Sequence, residues 1–321
     1  MNTLRKGGLA GLKTTWILGK VIFPITLIIT ILGYTPILPW TAELLAPLMN
    51  IIGLPGEAAI PLVLGNVLNL YAAIGAILSM DLAVKEVFIL AVMLSFSHNL
   101  FIESAVAVKV GVRMSVVLAV RIGLAFVSAL FIHLLWSGGT EPAQYGFVSG
   151  GASHQAEGAG AILWEGVSSA VLGVAQLAAV VIPLMIFIQI MKDLHWLNLF
   201  SKAMSPFTRM LGIRENTSTT LASGIFFGLA FGAGVMMQAI EDDNVKRKDL
   251  YLVFIFLVAC HAVIEDTLIF LPLGIPVLPL LGIRLLTAIV LTMIVAYIWN
   301  KAEKKKSIRR EAAYDYQHDT I

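Results

Sequence analysis

The sequence predicts an all-α polytopic membrane protein, built as an inverted-topology internal repeat with re-entrant helical hairpins and broken helices. Composition is the first observation behind this: hydrophobic residues make up 58% of the 321 and charged residues only 13%. A mean hydropathy of +0.88 means that a water-facing surface could not be covered, so the bilayer must be the solvent. The second observation is a polar pattern written twice. His98 and Glu103 stand at the same spacing as His261 and Asp266, and adding 163 also carries Ser104 to Thr267, Gly111 to Gly274 and Arg121 to Arg284. Upstream the offset is 159, carrying Pro24 to Pro183, Pro47 to Pro206, Gly53 to Gly212, Gly65 to Gly224 and Gly75 to Gly234. The chain is therefore an internal duplication. The third observation is how lysine and arginine are distributed, taken up below.

Residues 1–15 carry Arg5, Lys6 and Lys13 ahead of an apolar run at 16–33, an order shared with signal peptides. This run is long enough to span, no small-residue cleavage site follows it directly, and it recurs at 175–192. It is expected to be a retained transmembrane helix. Residues 40–52 form a short apolar run that ends in Gly53, Pro55, Gly56 and Glu57, with another run at 58–80. The Gly-Pro-Gly cluster breaks any helix. About 13 residues are too few to cross a core of roughly 30 Å, so the first run is either an interfacial helix or one arm of a re-entrant hairpin with its tip at 53–57. The second copy repeats the arrangement at 197–210, 212–216 and 217–240. Spans at 87–108 and 115–136, then at 250–271 and 277–299, form a helical hairpin in each copy.

The expected organisation is a cytoplasmic N-terminus (1–15), repeat one (16–136), an exterior Gly/Ala-rich connection (137–170), repeat two (171–300) and a basic cytoplasmic tail (301–321). Residues 137–165 contain Glu141 and Glu157 but no Lys or Arg. The positive-inside rule then places both termini, the 109–113 turn, the 192–214 region and the 246–248 loop in the cytoplasm of a cell-membrane protein. Each copy starts on one side and ends on the other. Four hydrophobic units with three crossings require one re-entrant unit, entering from opposite faces in the two copies. Such inverted repeats are typical of secondary transporters, which bind solute near mid-membrane where broken helices meet.

His98 and His261 lie near the middle of their spans, and each is followed by an acid. A lone histidine on an apolar helix is usually a satisfied structural residue; a symmetric pair, with Asn99 beside one member, points as well to a ligand or proton site whose occupancy varies with pH. Antiparallel packing sets Glu103 level with Arg121, and Glu265 or Asp266 level with Arg284. These are structural ion pairs, or pairs in which a carboxylate exchanges its arginine for solute or coupling ion. Glu57 and Glu215 stand at the expected hairpin tips, with Asn216 and Thr217 beside the latter, where helix N-termini suit polar or anionic ligands and where Asn and Thr also cap. Asn66, Asn69 and Gln238 on the arms are further binding candidates.

Two histidines with nearby carboxylates have the chemistry of a zinc-type site. The spacing is not His-Glu-x-x-His, however, and no nucleophile elbow or phosphate loop is present. No metal, cofactor or catalytic activity is expected. The single cysteine, Cys260, excludes an internal disulfide, and a net charge of +2 with no basic patch carrying interleaved aromatics gives no sign of nucleic acid.

The duplicated unit resembles the nucleoside-recognition, or Gate, domain of spore maturation proteins A and B, found more distantly in concentrative nucleoside transporters and ferrous iron transporters. The resemblance covers about residues 16–136 and 171–300. The stretch Gly53-Leu54-Pro55-Gly56-Glu57-Ala58 is similar to the Gly-Gln-Thr-Glu-Ala hairpin tip of concentrative nucleoside transporters. Glu57 carries over, and Pro55 and Gly56 stand where that family has Gln and Thr. The resemblance implies one of two functions. The first is a secondary transporter of a small polar or anionic solute, nucleosides included, coupled to protons or sodium. The second is a non-transporting membrane partner or regulator, as a homo-oligomer or with another Gate protein.

Overall fold

The computed structural model describes residues 2–146 and 158–318, so His154 and Glu157 of the connection lie outside the described residues. Copy one comprises α1 (Asn2–Gly33), α2 (Ile37–Met49), α3 (Ala59–Val67), α4 (Leu70–Ile77), α5 (Val84–Ser97), α6 (Leu100–Lys109) and α7 (Met114–Leu135). Copy two comprises α8 (Ala159–Asp193), α9 (Trp196–Met210), α10 (Ser218–Asp242), α11 (Arg247–Ala259), α12 (Glu265–Leu268) and α13 (Val277–His318). Among the described residues, five stretches are long and apolar enough to cross a bilayer: Thr3–Gly33, Val84–Lys109, Met114–Leu135, Ala159–Asp193 and Val277–Lys305. The chain is an all-α polytopic membrane protein.

Helices α1 and α8 are equivalent under the 159 offset, and they pack side by side in opposite directions. Thr3 donates to Asp193 at 2.6 Å at one end and Tyr34 donates to Glu165 at the other. Between them Gly7 backs onto Ile186, Gly11 onto Ile182 and Gly19 onto Val174. A Cβ at Gly7 would fall 2.6 Å from the Ile186 Cα, so the missing side chains are what let the two backbones approach.

The turns sort to two ends of the molecule. At one, Gly53 packs on His133, Lys85 donates to the carbonyls of His133 and Trp136, and Ala83 pairs with Pro142. At the other, Arg113 N–H donates to the Tyr251 hydroxyl and Arg214 pairs with Asp249. This sorting reveals the re-entrant units. Helices α3 and α4 fold back on each other about Leu68–Asn69, with Gly65 against Ala73, so the chain enters and leaves at the His133 end. Their nine and eight residues rise roughly 14 and 12 Å, about half a bilayer core each. In copy two, α10 turns back at Gly228 (φ 74°, ψ 179°), and Asn216 reaches the Asp243 carbonyl at 2.7 Å at the Asp249 end.

Of the two readings of the 40–52 run, the hairpin arm with its tip at 53–57 is not what the chain adopts: it bends by 86° between Ile37–Ile52 and Gly56–Val67, but Gly53 packs on His133 at the end where the α3–α4 hairpin enters and leaves, so α2 precedes the hairpin. The tips are Asn69 and Gly228, which are themselves equivalent, since 69 + 159 = 228. Helices α5 and α11 form the interior, every residue from Val87 to Ser97 and from Asp249 to Ala259 being buried. The apolar outer faces of α1, α7, α8 and α13 remain for lipid.

Candidate functional site

Both interior helices stop in mid-course. Helix α5 ends at His98, and Asn99 takes left-handed backbone (φ 51°) before α6 starts; α11 ends at Cys260, and Ala262 takes the same conformation (φ 42°) before α12. Asparagine adopts this region readily, alanine at a cost. The broken ends are satisfied alike in the two copies. Asn99 N–H donates to Gly65 O at 2.7 Å, and Ala262 N–H to Gly224 O at 3.1 Å. A Cβ at Gly65 would overlap Leu94, and one at Gly224 would overlap Leu257, so glycine holds each hairpin against its broken helix.

Arg121 on α7 and Arg284 on α13 are fully buried. Arg121 donates through Nε to Phe96 O at 2.8 Å and through Nη2 to His98 O, and Arg284 Nη2 donates to His261 O at 2.9 Å. Carbonyls freed by a helix break have no water to bond inside a bilayer, and the guanidinium groups take its place. The same groups hold the acids, with Arg121 Nη2 2.8 Å from Glu103 Oε2 and Arg284 Nη2 2.9 Å from Asp266 Oδ2. Each arginine thus caps the incoming half-helix and neutralises the acid in the first turn of the outgoing one.

The histidines close the ring across the repeat boundary. His98 and His261 lie 5.4 Å apart by ring centroid, and each directs Nδ1 to the carbonyl four residues earlier, Leu94 and Leu257, at 2.7 Å. His261 Nε2 lies 3.1 Å from Glu103 Oε2 in the other copy, closer than the 3.4 Å between His98 Nε2 and Glu103 Oε1. Together these groups line a cavity of about 70 Å³, walled also by the tips Asn69 and Gly228 and by Tyr71, Asn99, Glu265 and Asp266. Tyr71 donates to Glu265 Oε1 at 2.7 Å.

Of the candidates named from sequence, the cavity gathers Asn69, His98, Asn99, Glu103, His261, Glu265 and Asp266, with Arg121 and Arg284 behind the acids. Asn69 uses its side chain to cap α4, accepting from Ala72 N–H at 3.0 Å. The remaining candidates lie elsewhere. Glu57 is at the His133 end, and Tyr145 at that end feels its charge beside those of Asp81 and Glu86; burial, first of all, pushes the Tyr145 hydroxyl pKa up. Glu215 is on the surface at the opposite end, bonded to Ser205 and Arg209, which hold its carboxyl below the usual range. A helical arm of roughly 14–15 Å separates each of these glutamates from its tip. Asn216 and Thr217 tie the base of the second hairpin. Asn66 donates to Leu62 O and faces a separate lateral cavity, and Gln238 is exposed. Tyr71, which also lines the cavity, is not among the sequence candidates, because an aromatic ring carries no signal within an apolar run.

Fold and site together define a duplicated helical membrane protein whose discontinuous helices and hairpin tips meet at one buried, charged cavity. The family model described as Nucleoside recognition (Gate) matches residues 15–119 and 174–283, starting points that are 174 − 15 = 159 apart, and the chain belongs to this family. It is 60% identical over 303 residues, covering 94% of this chain and 96% of the relative, to the Bacillus subtilis (strain 168) protein titled "Uncharacterized membrane protein YvoD". No solved structure matches.

Proposed function

We propose that the protein is a secondary transporter of a small polar solute, driven by a proton or sodium gradient, with both termini cytoplasmic. The carrying observation is that two re-entrant tips, Asn69 and Gly228, enter from opposite ends and meet at the same cavity as two broken helices. The antiparallel packing of the equivalent helices α1 and α8 supports an inverted repeat, the architecture in which gates rock about a fixed mid-membrane site. Charge supports the orientation. The end bearing Arg113, Arg209, Arg214 and Lys246–Lys248 gathers lysine and arginine, alongside Glu215, Asp243 and Asp249, whereas the His133 end holds Lys85 among Glu57, Asp81, Glu86 and Glu141.

Size and charge narrow the solute. A cavity of about 70 Å³ is less than half the roughly 150 Å³ that accommodates benzene, so a nucleoside enters only after a hairpin moves away. The lining acids Glu103, Glu265 and Asp266, with the arginines set behind them, favour a neutral or cationic solute over an anion. The small cavity favours a second reading too, a Gate partner or regulator that does not transport.

A thermal-shift screen of purified protein against nucleosides, nucleobases, amines and amino acids, followed by uptake of each hit into proteoliposomes, tests the proposal. Tyr71→Phe and Asn99→Ala should weaken a true solute by about tenfold, the equivalent of one hydrogen bond of ~1.4 kcal/mol, and Asn66→Ala should not. Hits that are never taken up, or that ignore both cavity variants, favour the regulator.

A further inference from the structure

The two histidines are held in one tautomer. Leu94 O and Leu257 O, each 2.7 Å from an Nδ1, can only accept, so Nδ1 carries the proton and Nε2 of the neutral ring presents a lone pair. Both lone pairs face carboxylate oxygens. His98 Nε2 lies 3.4 Å from Glu103 and 3.9 Å from Asp266, and His261 Nε2 lies 3.1 and 3.7 Å from the same acids. Lone pair against anion is repulsive unless a positive species sits between them. His261 is 1% exposed, lines the cavity, and its Nε2 has no hydrogen-bond partner among the described residues.

We propose that His98 Nε2, His261 Nε2 and Asp266 Oδ2 bind one divalent transition-metal ion, with Glu103 beside it. This names a ligand class for the cavity and rests on the reading of that cavity as a binding site. The three ligand atoms lie within 4.8 Å of one another. Ligands on a tetrahedral ion with bonds of about 2.0–2.1 Å sit roughly 3.4 Å apart, so closing the site takes shifts of about 1 Å. Imidazole nitrogens select zinc-like, cobalt-like or ferrous ions over sodium, magnesium or calcium. A metal-bound imidazole that donates its other nitrogen to a carbonyl has the outer-shell support typical of such sites. Charge agrees as well: with neutral imidazoles, Arg121 and Arg284 against Glu103, Glu265 and Asp266 leave 2 − 3 = −1 in the cluster, which a cation offsets.

Cobalt(II) chloride added to the full-length, tag-free, chelator-stripped protein tests this. The expected result is one cobalt per chain by equilibrium dialysis, a tetrahedral ligand-field spectrum, and thermal stabilisation that equimolar magnesium does not reproduce. His98→Gln and His261→Gln should each weaken cobalt binding by at least about tenfold, with His195→Gln, at an exposed turn, unchanged. The proposal is overturned if cobalt stabilises wild type no more than magnesium does, the outcome when the lone pairs take protons instead. It is overturned equally if both glutamine variants bind cobalt as wild type does. The cobalt-against-magnesium comparison needs no variant, so a misfolded variant leaves the test intact. Cobalt binding without solute uptake would defeat the transport reading alone, and uptake without cobalt binding would defeat this one alone.

Discussion

The Tyr71 hydroxyl donates to Glu265 Oε1 at 2.7 Å, joining the first hairpin to the second broken helix, and the duplication does not repeat this bond. The equivalent positions are Ala230 (71 + 159) and Ile102 (265 − 163). Asn69 and Asn99 likewise correspond to Gly228 and Ala262. The cavity is therefore symmetric in its histidines and its Arg-paired acids, and lopsided in its neutral polar groups, all of which copy one supplies.

Tyr71→Phe should cost about 1–3 kcal/mol by leaving a buried carboxylate oxygen without its donor. Adding Glu265→Gln should cost less than the sum of the singles, by about 1 kcal/mol. A double-mutant cycle of thermal unfolding in detergent measures this, and strict additivity would show that the bond contributes nothing.

Arg121→Met should destabilise more than Glu103→Gln. The arginine holds two carbonyls of the broken helix as well as the acid, whereas glutamine keeps the acid's shape and loses only charge. Breaking a buried pair typically costs about 3–5 kcal/mol. Arg284→Met and Asp266→Asn should follow the same order, and Arg209→Ala at the exposed Glu215 pair should leave unfolding unchanged. Equal losses for Arg121→Met and Glu103→Gln would contradict the capping role.

Two backbone substitutions should act in opposite directions. Gly228 has φ 74° and ψ 179°, a conformation essentially restricted to glycine and costing other residues about 1–3 kcal/mol, so Gly228→Ala should lower the melting temperature. Ala262 already bears left-handed strain at φ 42°, so Ala262→Gly should hold or raise it. A tolerated Gly228→Ala would mean that the second tip does not turn there.

In a Cys260→Ser background, Thr140→Cys should react with an impermeant thiol reagent in intact cells, and Lys301→Cys should react only after lysis. Both side chains are exposed. The reverse pattern would invert the proposed orientation.

The sequence made the duplication and most of the central cluster legible, because charges in an apolar segment are costly enough to be read as deliberate. The pairing of Glu103 with Arg121 follows from counting outward from one turn. The tips were not legible. Gly53, Pro55 and Gly56 are loud helix breakers, and they break the chain at the surface. The interior turn at Asn69 is marked by a single asparagine, and Gly228 is one glycine in a run rich in small residues. Local propensity shows where a chain can bend; which bend lies at depth is decided by what packs there, here Gly65 on Leu94 and Gly224 on Leu257.

The antiparallel embrace of α1 and α8 means that, in the proposed orientation, a copied segment had to live upside down in a membrane whose own polarity was not turned over with it. Interior charges obey the molecular axis: His98, Glu103 and Arg121 return as His261, Asp266 and Arg284. Many rim charges do not, although Lys85 and Glu86 return as Lys248 and Asp249. Lys109 and Arg113 correspond to Pro272 and Pro276 (adding 163), and Arg209 and Arg214 correspond to Asn50 and Pro55 (subtracting 159). Most of the rim charges thus lack a counterpart in the other copy, while the central histidines and Arg-paired acids keep theirs. Comparing the two halves position by position separates what insertion demands from what the cavity demands.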